Sequence, residues 1–167
     1  MGRMEMHREE VTKTFSKISP YFNRLTLCGW HRRGETEGKE VSCACLYPIR
    51  DIDPKETGLD ITYNDLKIPN GYVVTINETT WKFSQTIDDS FGGLILALTG
   101  NVMFTIILRK YAKDLGYRLN HNGLMAGSDI IAGRTEQQIF FMLGLEYVKP
   151  INRNVGKGYK LIKKEEK

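Results

Sequence analysis

Apolar residues recur at helical spacing near the start of the chain. Val11, Phe15 and Ile18 are three or four residues apart and therefore share one face of a helix. This spacing predicts a short helix over 7–18. Pro20 ends it, because the residue before a proline avoids helical backbone.

Two further helices are indicated by their end signals. Asn101 can cap a helix over 102–115, and Gly116 can terminate it. The run Thr-Glu-Gln-Gln at 135–138 is typical of a capping box. It predicts a short helix that Gly144 stops.

Alternation of apolar and polar residues predicts the strands. They lie over 24–28, 41–47, 72–77, 80–86 and 147–149. Pro48 closes the second of them, and the run Pro-Asn-Gly at 69–71 is a turn signal. The stretch 50–70 is rich in Asp, Pro, Gly and Lys and predicts a long loop or insert. Asp88 and Asp89 are expected to be solvated carboxylates in a turn between strands. The order of helix, strands and helices indicates an α+β protein.

The composition fits a protein with a substantial core. Of the 167 residues, 41% are hydrophobic, which is enough for one compact unit or two small subdomains. The formal charge is only +4, but basic residues concentrate toward the C-terminus at Lys149, Arg153, Lys157, Lys160, Lys163 and Lys164. This distribution suits weak, salt-dependent phosphate contacts, and a solvated basic tail explains the last ten residues equally well.

Cysteine usage indicates a reducing compartment. Cys28, Cys43 and Cys45 make no disulfide framework, and Cys43 and Cys45 point to the same face of one strand. The three histidines lack metal-ligand spacing, so no zinc site is expected. No apolar run has the length needed to cross a bilayer, and the start of the chain lacks the apolar segment of a secretory signal. We therefore expect an intracellular protein with no membrane partner.

The most informative motif lies at 29–42 and reads Gly-Trp-His-Arg-Arg-Gly-Glu-Thr-Glu-Gly-Lys-Glu-Val-Ser. Its Arg-Arg-Gly segment predicts a turn. The motif resembles the active-site entry of family X DNA polymerases and related nucleotidyltransferases, whose pattern is Gly-Ser-x-Arg-Arg-Gly, a short loop and Gly-Asp-x-Asp. Segments at 98–101, 116–124 and 135–145 resemble the palm-to-thumb junction and the thumb of the same family.

The resemblance implies an arrangement of subdomains. A nucleotidyltransferase-like palm, with a mixed sheet and flanking helices, would span 1–98. A small, mainly helical thumb would follow over 99–153, and a basic C-terminal tail over 154–167. The resemblance is closest to the minimal, virus-encoded members of the family. A viral protein of this kind would act in the host nucleus, the host cytoplasm or the virion.

The metal site of the family is altered in this sequence. In the family, three carboxylates on two neighbouring strands hold two magnesium ions. The corresponding positions here are Glu40, Ser42 and Lys82, whose formal charges sum to zero. We expect no metal, no other cofactor and no intact catalytic residue, and hence no nucleotidyl transfer. Glu40 and Lys82 are predicted to face each other across adjacent strands, with the ammonium in the place of the metals.

Nucleic-acid binding is the function that the resemblance leaves in place. The residues predicted to contact phosphates are Arg32, Arg33, Lys39, Arg109, Lys110 and Lys113. The resemblance puts three of them near the palm motif and three on a thumb helix, on opposite walls of one cleft. Binding should be weak and independent of base sequence, with DNA as the expected partner and RNA left open. Arg33 could equally brace its own turn.

Three alternatives stay open. Asp51-Ile52-Asp53 is itself an Asp-x-Asp run, and a register slip would bring it into the site of an active, magnesium-dependent polymerase. Trp30 and Trp81 either pack in the core or stack on bases. Finally, the chain could be a structural subunit of a larger assembly with no nucleic-acid contact.

Overall fold

The computed structural model describes residues 6–47, 51–68 and 70–165. The chain forms two compact units that divide between Ile87 and Asp88. Each unit contains helices and a β-sheet, which confirms the predicted α+β class. The resemblance puts the palm–thumb boundary between Leu98 and Thr99, and that functional boundary stays a prediction. Within the described ranges, no helix is both long and apolar enough to cross a membrane.

The first unit is built around a mixed five-stranded sheet. Its strands are β2 (Asn23–Leu27), β4 (Glu40–Leu46), β5 (Ile61–Ile68), β6 (Gly71–Ile76) and β7 (Thr79–Thr86), in the order β2-β4-β7-β6-β5. Strands β4 and β7 run parallel, and the other neighbours run antiparallel. A two-stranded sheet pairs β1 (Met6–His7) with β3 (Glu37–Gly38). The helices are α1 (Arg8–Ile18), α2 (Gly29–Arg32) and α3 (Pro54–Thr57).

Alternation along β4 and β7 buries one face of this sheet. Val41, Cys43 and Cys45 on β4 share a core with Trp81 and Phe83 on β7, because every second side chain of a strand points to the same face. The apolar stripe of α1 belongs to the same core. The cysteines are buried free thiols, and burial raises the pKa of Cys45 to about 12. They therefore act as small apolar core residues.

The sequence pattern located most of these elements. The predicted first helix and the first four predicted strands correspond to α1, β2, β4, β6 and β7, with ends that differ by about one residue. The turn between β6 and β7 falls at Asn77 and Glu78, whose φ angles of 47° and 68° are left-handed. The strand end predicted at Pro48 and the turn residue Pro69 lie outside the described residues.

The stretch 50–70 is not one long loop, because its described residues include α3 and β5. Asp53 caps α3, because its Oδ1 accepts a hydrogen bond from the Lys55 amide at 2.9 Å. Strand β5 follows at the edge of the sheet, and its register against β6 shifts between Tyr63 and Lys67. A polar edge strand with a register shift lacks regular alternation, so the pattern does not reveal it.

The second unit combines three helices with a small antiparallel sheet. Its helices are α4 (Phe91–Thr99), α5 (Val102–Asp114) and α6 (Glu136–Met142). The sheet contains β8 (Arg118–Asn120), β9 (Gly123–Ala126) and β10 (Asp129–Ala132) in the order β10-β9-β8. Helices account for most of its regular structure, as predicted. The sheet is not predicted, because strands of three or four residues are too short to show alternation.

Both predicted helix caps of the second unit are present. The Asn101 side chain accepts a hydrogen bond from the Phe104 amide at 2.9 Å at the start of α5. The Thr135 hydroxyl accepts one from the Gln138 amide at 3.1 Å at the start of α6. The two caps fix where these helices begin, since they satisfy amides that the helices leave unpaired.

A buried ion pair holds the second unit together. Arg153 Nη1 lies 2.6 Å from Glu136 Oε2, and the two side chains are 0% and 2% exposed. Arg153 Nε and Nη2 both donate to the Val148 carbonyl, at 3.0 and 2.7 Å. The strand predicted over 147–149 is wrong, because this carbonyl bonds to a side chain rather than to a neighbouring strand. Because its side chain is buried, Arg153 is not one of the surface basic residues available to contact phosphate.

Aromatic rings complete the surroundings of this pair. The Arg153 guanidinium lies 5.4 to 5.8 Å from the ring centroids of Phe104, Phe140 and Tyr147. The Tyr147 hydroxyl donates to the other Glu136 carboxylate oxygen at 3.1 Å. Cation–π contacts and hydrogen bonds thus offset the loss of water around both charges.

The C-terminal segment is packed on the second unit. Val155, Tyr159 and Leu161 contact its core. Two backbone hydrogen bonds of 2.9 and 2.8 Å join the segment to the residues after α6, from Glu146 N to Ile162 O and from Lys164 N to Gly144 O. The segment is thus attached to the unit through its apolar residues, while its lysines are exposed to solvent.

The buried pair yields a stability prediction. Arg153→Met should lower the free energy of unfolding of the second unit by roughly 3–5 kcal/mol, because it leaves the Glu136 carboxylate buried without a partner. The double variant Glu136→Leu/Arg153→Met should recover most of that loss, since no buried charge remains. Urea denaturation measures both.

The exposed pair of Lys110 with Asp114 supplies the control for this experiment. Lys110→Met removes one charge of a surface pair and should change the free energy of unfolding by less than about 0.5 kcal/mol. A double variant as unstable as Arg153→Met would show that packing, rather than the unpaired charge, causes the loss.

Candidate nucleic-acid interface and altered metal site

Strands β4 and β7 bring together the three positions that the resemblance aligns with the family's carboxylates. In their parallel register, Ser42 lies directly opposite Lys82. Glu40, Ser42 and Lys82 are partly exposed, whereas the adjacent Val41 and Trp81 are in the core. The three side chains therefore share the face of the sheet that points away from the core.

The predicted ion pair between Glu40 and Lys82 is present. Lys82 Nζ lies 2.9 Å from Glu40 Oε2, and the side chains are 39% and 33% exposed, respectively. Because water screens a pair of this exposure, it contributes about 1 kcal/mol or less to stability. The face thus presents one carboxylate neutralised by an ammonium, beside the uncharged Ser42. Across the described residues, no three His, Cys, Asp or Glu side chains form a group able to hold a metal ion.

The segment predicted as a turn begins with one turn of helix. Helix α2 ends next to Arg33, whose amide donates to the Gly29 carbonyl at 3.1 Å. Arg33 Nη2 lies 2.7 Å from Glu35 Oε2, and the Arg33 side chain is only 16% exposed. Arg33 therefore braces its own loop, the alternative that the sequence left open. Of the other two predicted contacts, Arg32 is half-buried and Lys39 is exposed.

Both tryptophans pack in the first unit. Trp81 is fully buried, and Trp30 is partly buried against the same core. Trp30 Nε1 donates to the Glu40 carbonyl at 2.7 Å. A Cβ atom added to Gly38 would lie 2.2 Å from the Trp30 ring, so this contact requires glycine. Core packing, rather than stacking on bases, is confirmed for Trp81. The Trp30 hydrogen bond joins the motif to the start of β4.

Helix α1 fixes the motif through His31, a contact that no sequence spacing indicates. The Thr12 hydroxyl lies 3.1 Å from His31 Nε2, and Arg8 Nη1 donates to the His31 carbonyl. Burial, followed by the nearby Arg8 charge, lowers the pKa of His31 to about 4. The imidazole is therefore neutral at neutral pH and is no phosphate ligand there.

The other acidic pairs of the sequence lie elsewhere. Asp51 and Asp53 are exposed, precede α3 and belong to neither β4 nor β7. Asp88 and Asp89 precede α4 and pair with Arg134, at 3.0 and 2.6 Å. The prediction of solvated carboxylates is confirmed for this second pair, since both side chains are exposed. Its placement between two strands is wrong, because a helix follows the pair.

The three basic residues predicted on α5 do not form one set. Arg109 and Lys113 are four residues apart, so they share an exposed face of the helix. Lys110 Nζ instead lies 3.1 Å from Asp114 Oδ2. This pair neutralises Lys110 and turns it toward the side of α5 that carries Asp114. Arg109 and Lys113 are thus the two cations of α5 that are best placed for phosphate contact.

A groove of about 780 Å³ lies beside α6 and is mostly apolar. Its walls include the exposed side chains of Phe141 and Met142 together with Leu145 and Tyr147. None of the six predicted phosphate contacts lines it.

Residues 94–154 match the family model described as DNA polymerase beta thumb. The matched range begins within α4 and ends just after Arg153, so it covers most of the second unit and none of the first. The match supports a relationship of this chain to the polymerase beta-like family X. No curated protein matches the chain in sequence. The identification of the first unit as a palm stays a prediction from the resemblance.

The lowered pKa of His31 predicts a pH-dependent contribution to stability. The folded state binds this proton more weakly than the unfolded chain, so protonation of His31 favours unfolding. The free energy of unfolding therefore keeps its full value above pH 6.5 and decreases as the pH falls toward about 4. The urea midpoint of the parent should therefore decline relative to that of His31→Gln between these pH values. The exposed His121→Gln variant controls for the substitution itself. A parent and a His31→Gln variant with parallel pH profiles would contradict the prediction.

Proposed function

We propose that this protein is a catalytically inactive relative of family X DNA polymerases that binds nucleic acid. The observation that carries the proposal is the 2.9 Å contact between Lys82 Nζ and Glu40 Oε2. The resemblance aligns three positions of this chain with the family's metal-binding carboxylates, and these two residues occupy two of those positions. The second unit, which matches the DNA polymerase beta thumb, is the part through which nucleic acid would bind.

Electrostatics support the loss of catalysis. A two-metal site needs several carboxylates to offset four positive charges and to activate the attacking hydroxyl. Here Glu40 is already paired, Ser42 is neutral and Lys82 is a cation. A divalent ion about 4 Å from an ammonium is repelled by roughly 8 kcal/mol at an effective dielectric constant of 20. The ammonium would therefore stand in for the metals and keep them out.

The charge distribution supports binding to phosphates without base recognition. Arg109 and Lys113 are exposed on one face of α5, inside the residues that match the thumb family. Two such cations provide a salt-dependent attraction to any phosphate backbone and read no base edge. Lys39 and Arg32 of the first unit are further candidate contacts. DNA is the proposed partner, because the matched family is a DNA polymerase thumb.

The chain is expected to show no magnesium-dependent nucleotide incorporation on a primed template. Restoring the acids in Glu40→Asp/Ser42→Asp/Lys82→Asp should create divalent-cation binding that isothermal titration with Mn²⁺ detects. Lys82→Met, which removes only the ammonium, is the matched control and should stay metal-free. Incorporation by the parent that disappears in Asp51→Asn/Asp53→Asn would contradict the proposal and move catalysis to those carboxylates.

Replacing Arg109 and Lys113 together by Ala should weaken duplex DNA binding and flatten its salt dependence. Each lost phosphate contact lowers the slope of log K against log salt by about 0.9. Fluorescence anisotropy with a labelled duplex at several salt concentrations measures both quantities.

The matched control for this experiment is Lys13→Ala/Lys17→Ala. It removes the same charge at the same spacing from an exposed face of α1. Equal effects of the two double variants would indicate a general charge effect. Absence of duplex binding by the parent at low salt would favour the alternative of a structural subunit.

A further inference from the structure

The C-terminal segment forms a cleft with α5 that lies partly outside the match to the thumb family. The match ends at residue 154, and the cleft uses residues 159–161 of the following segment. Tyr159 anchors the segment, because its ring lies 6.1 Å from that of Phe104 in the core. The cleft has a volume of about 260 Å³. Residues beyond the matched range therefore form one wall of the cleft.

The walls of the cleft combine aromatic rings with charges. Tyr111 from α5 and Tyr159 from the C-terminal segment are both half-buried and line the cleft. Lys160 is exposed at its rim. Lys110 and Asp114 complete the charged lining, and they neutralise each other at 3.1 Å. The cleft therefore offers two apolar ring surfaces and one net positive charge.

We propose that this cleft binds one nucleotide of a single-stranded nucleic acid. A base would stack on the Tyr111 and Tyr159 rings, and the Lys160 ammonium would contact the adjoining phosphate. Aromatic platforms beside cations are the features by which proteins bind single strands without sequence preference. The proposal extends the proposed nucleic-acid binding to a second contact, distinct from the Arg109 and Lys113 face.

A single strand fits this cleft better than a duplex. The faces of paired bases are covered by their neighbours in a duplex, so they cannot stack on a protein ring, whereas an unpaired base presents a free face. A cleft of about 260 Å³ has room for a single planar base and not for a double helix. The two contact surfaces of the second unit would thus prefer different forms of nucleic acid.

The test uses the full chain and a fluorescein-labelled ten-nucleotide oligo-dT. Tyr111→Leu and Tyr159→Leu should each weaken binding about tenfold, which is the scale of one base stacked on an aromatic ring. Lys160→Ala should lower the slope of log K against log salt by about 0.7, the value for one phosphate of a single strand.

Matched controls separate the cleft from general effects. Lys157→Ala removes the same charge from the same segment outside the cleft, and Tyr117→Leu removes a half-buried ring that packs against the same core. Both should bind oligo-dT as the parent does. Because Tyr111 and Tyr159 both pack against the core, the exposed Lys160→Ala variant keeps the test valid if a ring variant fails to fold.

A gain of affinity provides an independent readout. Asp114→Asn removes the carboxylate that neutralises Lys110, so it should tighten oligo-dT binding and steepen its salt dependence by about 0.7. The control Asp129→Asn makes the same change at an exposed position of β10, away from the cleft. A stacked base should also allow a 5-iodouracil-labelled oligonucleotide to crosslink to Tyr111 or Tyr159 under ultraviolet light.

The outcomes distinguish this proposal from the proposed function. Duplex binding that depends on Arg109 and Lys113, together with oligo-dT binding that ignores the cleft variants, would overturn the cleft alone. Oligo-dT binding that depends on the cleft without any duplex binding would support the cleft and overturn the duplex interface. A parent that binds neither form would overturn both.

Discussion

The parallel pairing of β4 with β7 is the constraint on which the first unit and its candidate site depend. It sets Ser42 opposite Lys82 and brings the Lys82 ammonium within 2.9 Å of the Glu40 carboxylate. The same register sends Val41 and Trp81 into the core on the other face. A slip of one residue would exchange the two faces, burying charges and exposing apolar groups. Core packing therefore holds Glu40, Ser42 and Lys82 in place.

A different interaction organises the second unit. Arg153 and Glu136 exchange a buried, hydrogen-bonded charge contact that fixes the loop at Val148 and the start of α6. This arginine comes from the end of the residues that match the thumb family, and the C-terminal segment packs directly after it. The pair therefore fixes the point in the chain from which the C-terminal segment of the tyrosine-lined cleft begins.

Basic residues that are equivalent in the sequence have different roles in the fold. Arg153 is buried, Arg33 pairs with Glu35, and Lys110 pairs with Asp114. Of the three basic residues predicted on α5, Arg109 and Lys113 share an exposed face. Among the residues described, neither has a neutralising contact like that of Lys110 with Asp114. A count of basic residues along the chain overestimates the charge available to a phosphate, because some of these residues are buried or paired with a carboxylate.

The sequence by itself determined the elements with regular periodicity and the pair of Glu40 with Lys82. Helix stripes, end caps and alternating strands are local signals, and the family resemblance singled out Glu40 and Lys82. The tertiary structure alone revealed the edge strand β5, the three-stranded sheet and the partners of Arg153 and His31. Those strands are too short or too irregular to show alternation, and the partners of Arg153 and His31 lie far from them in the chain.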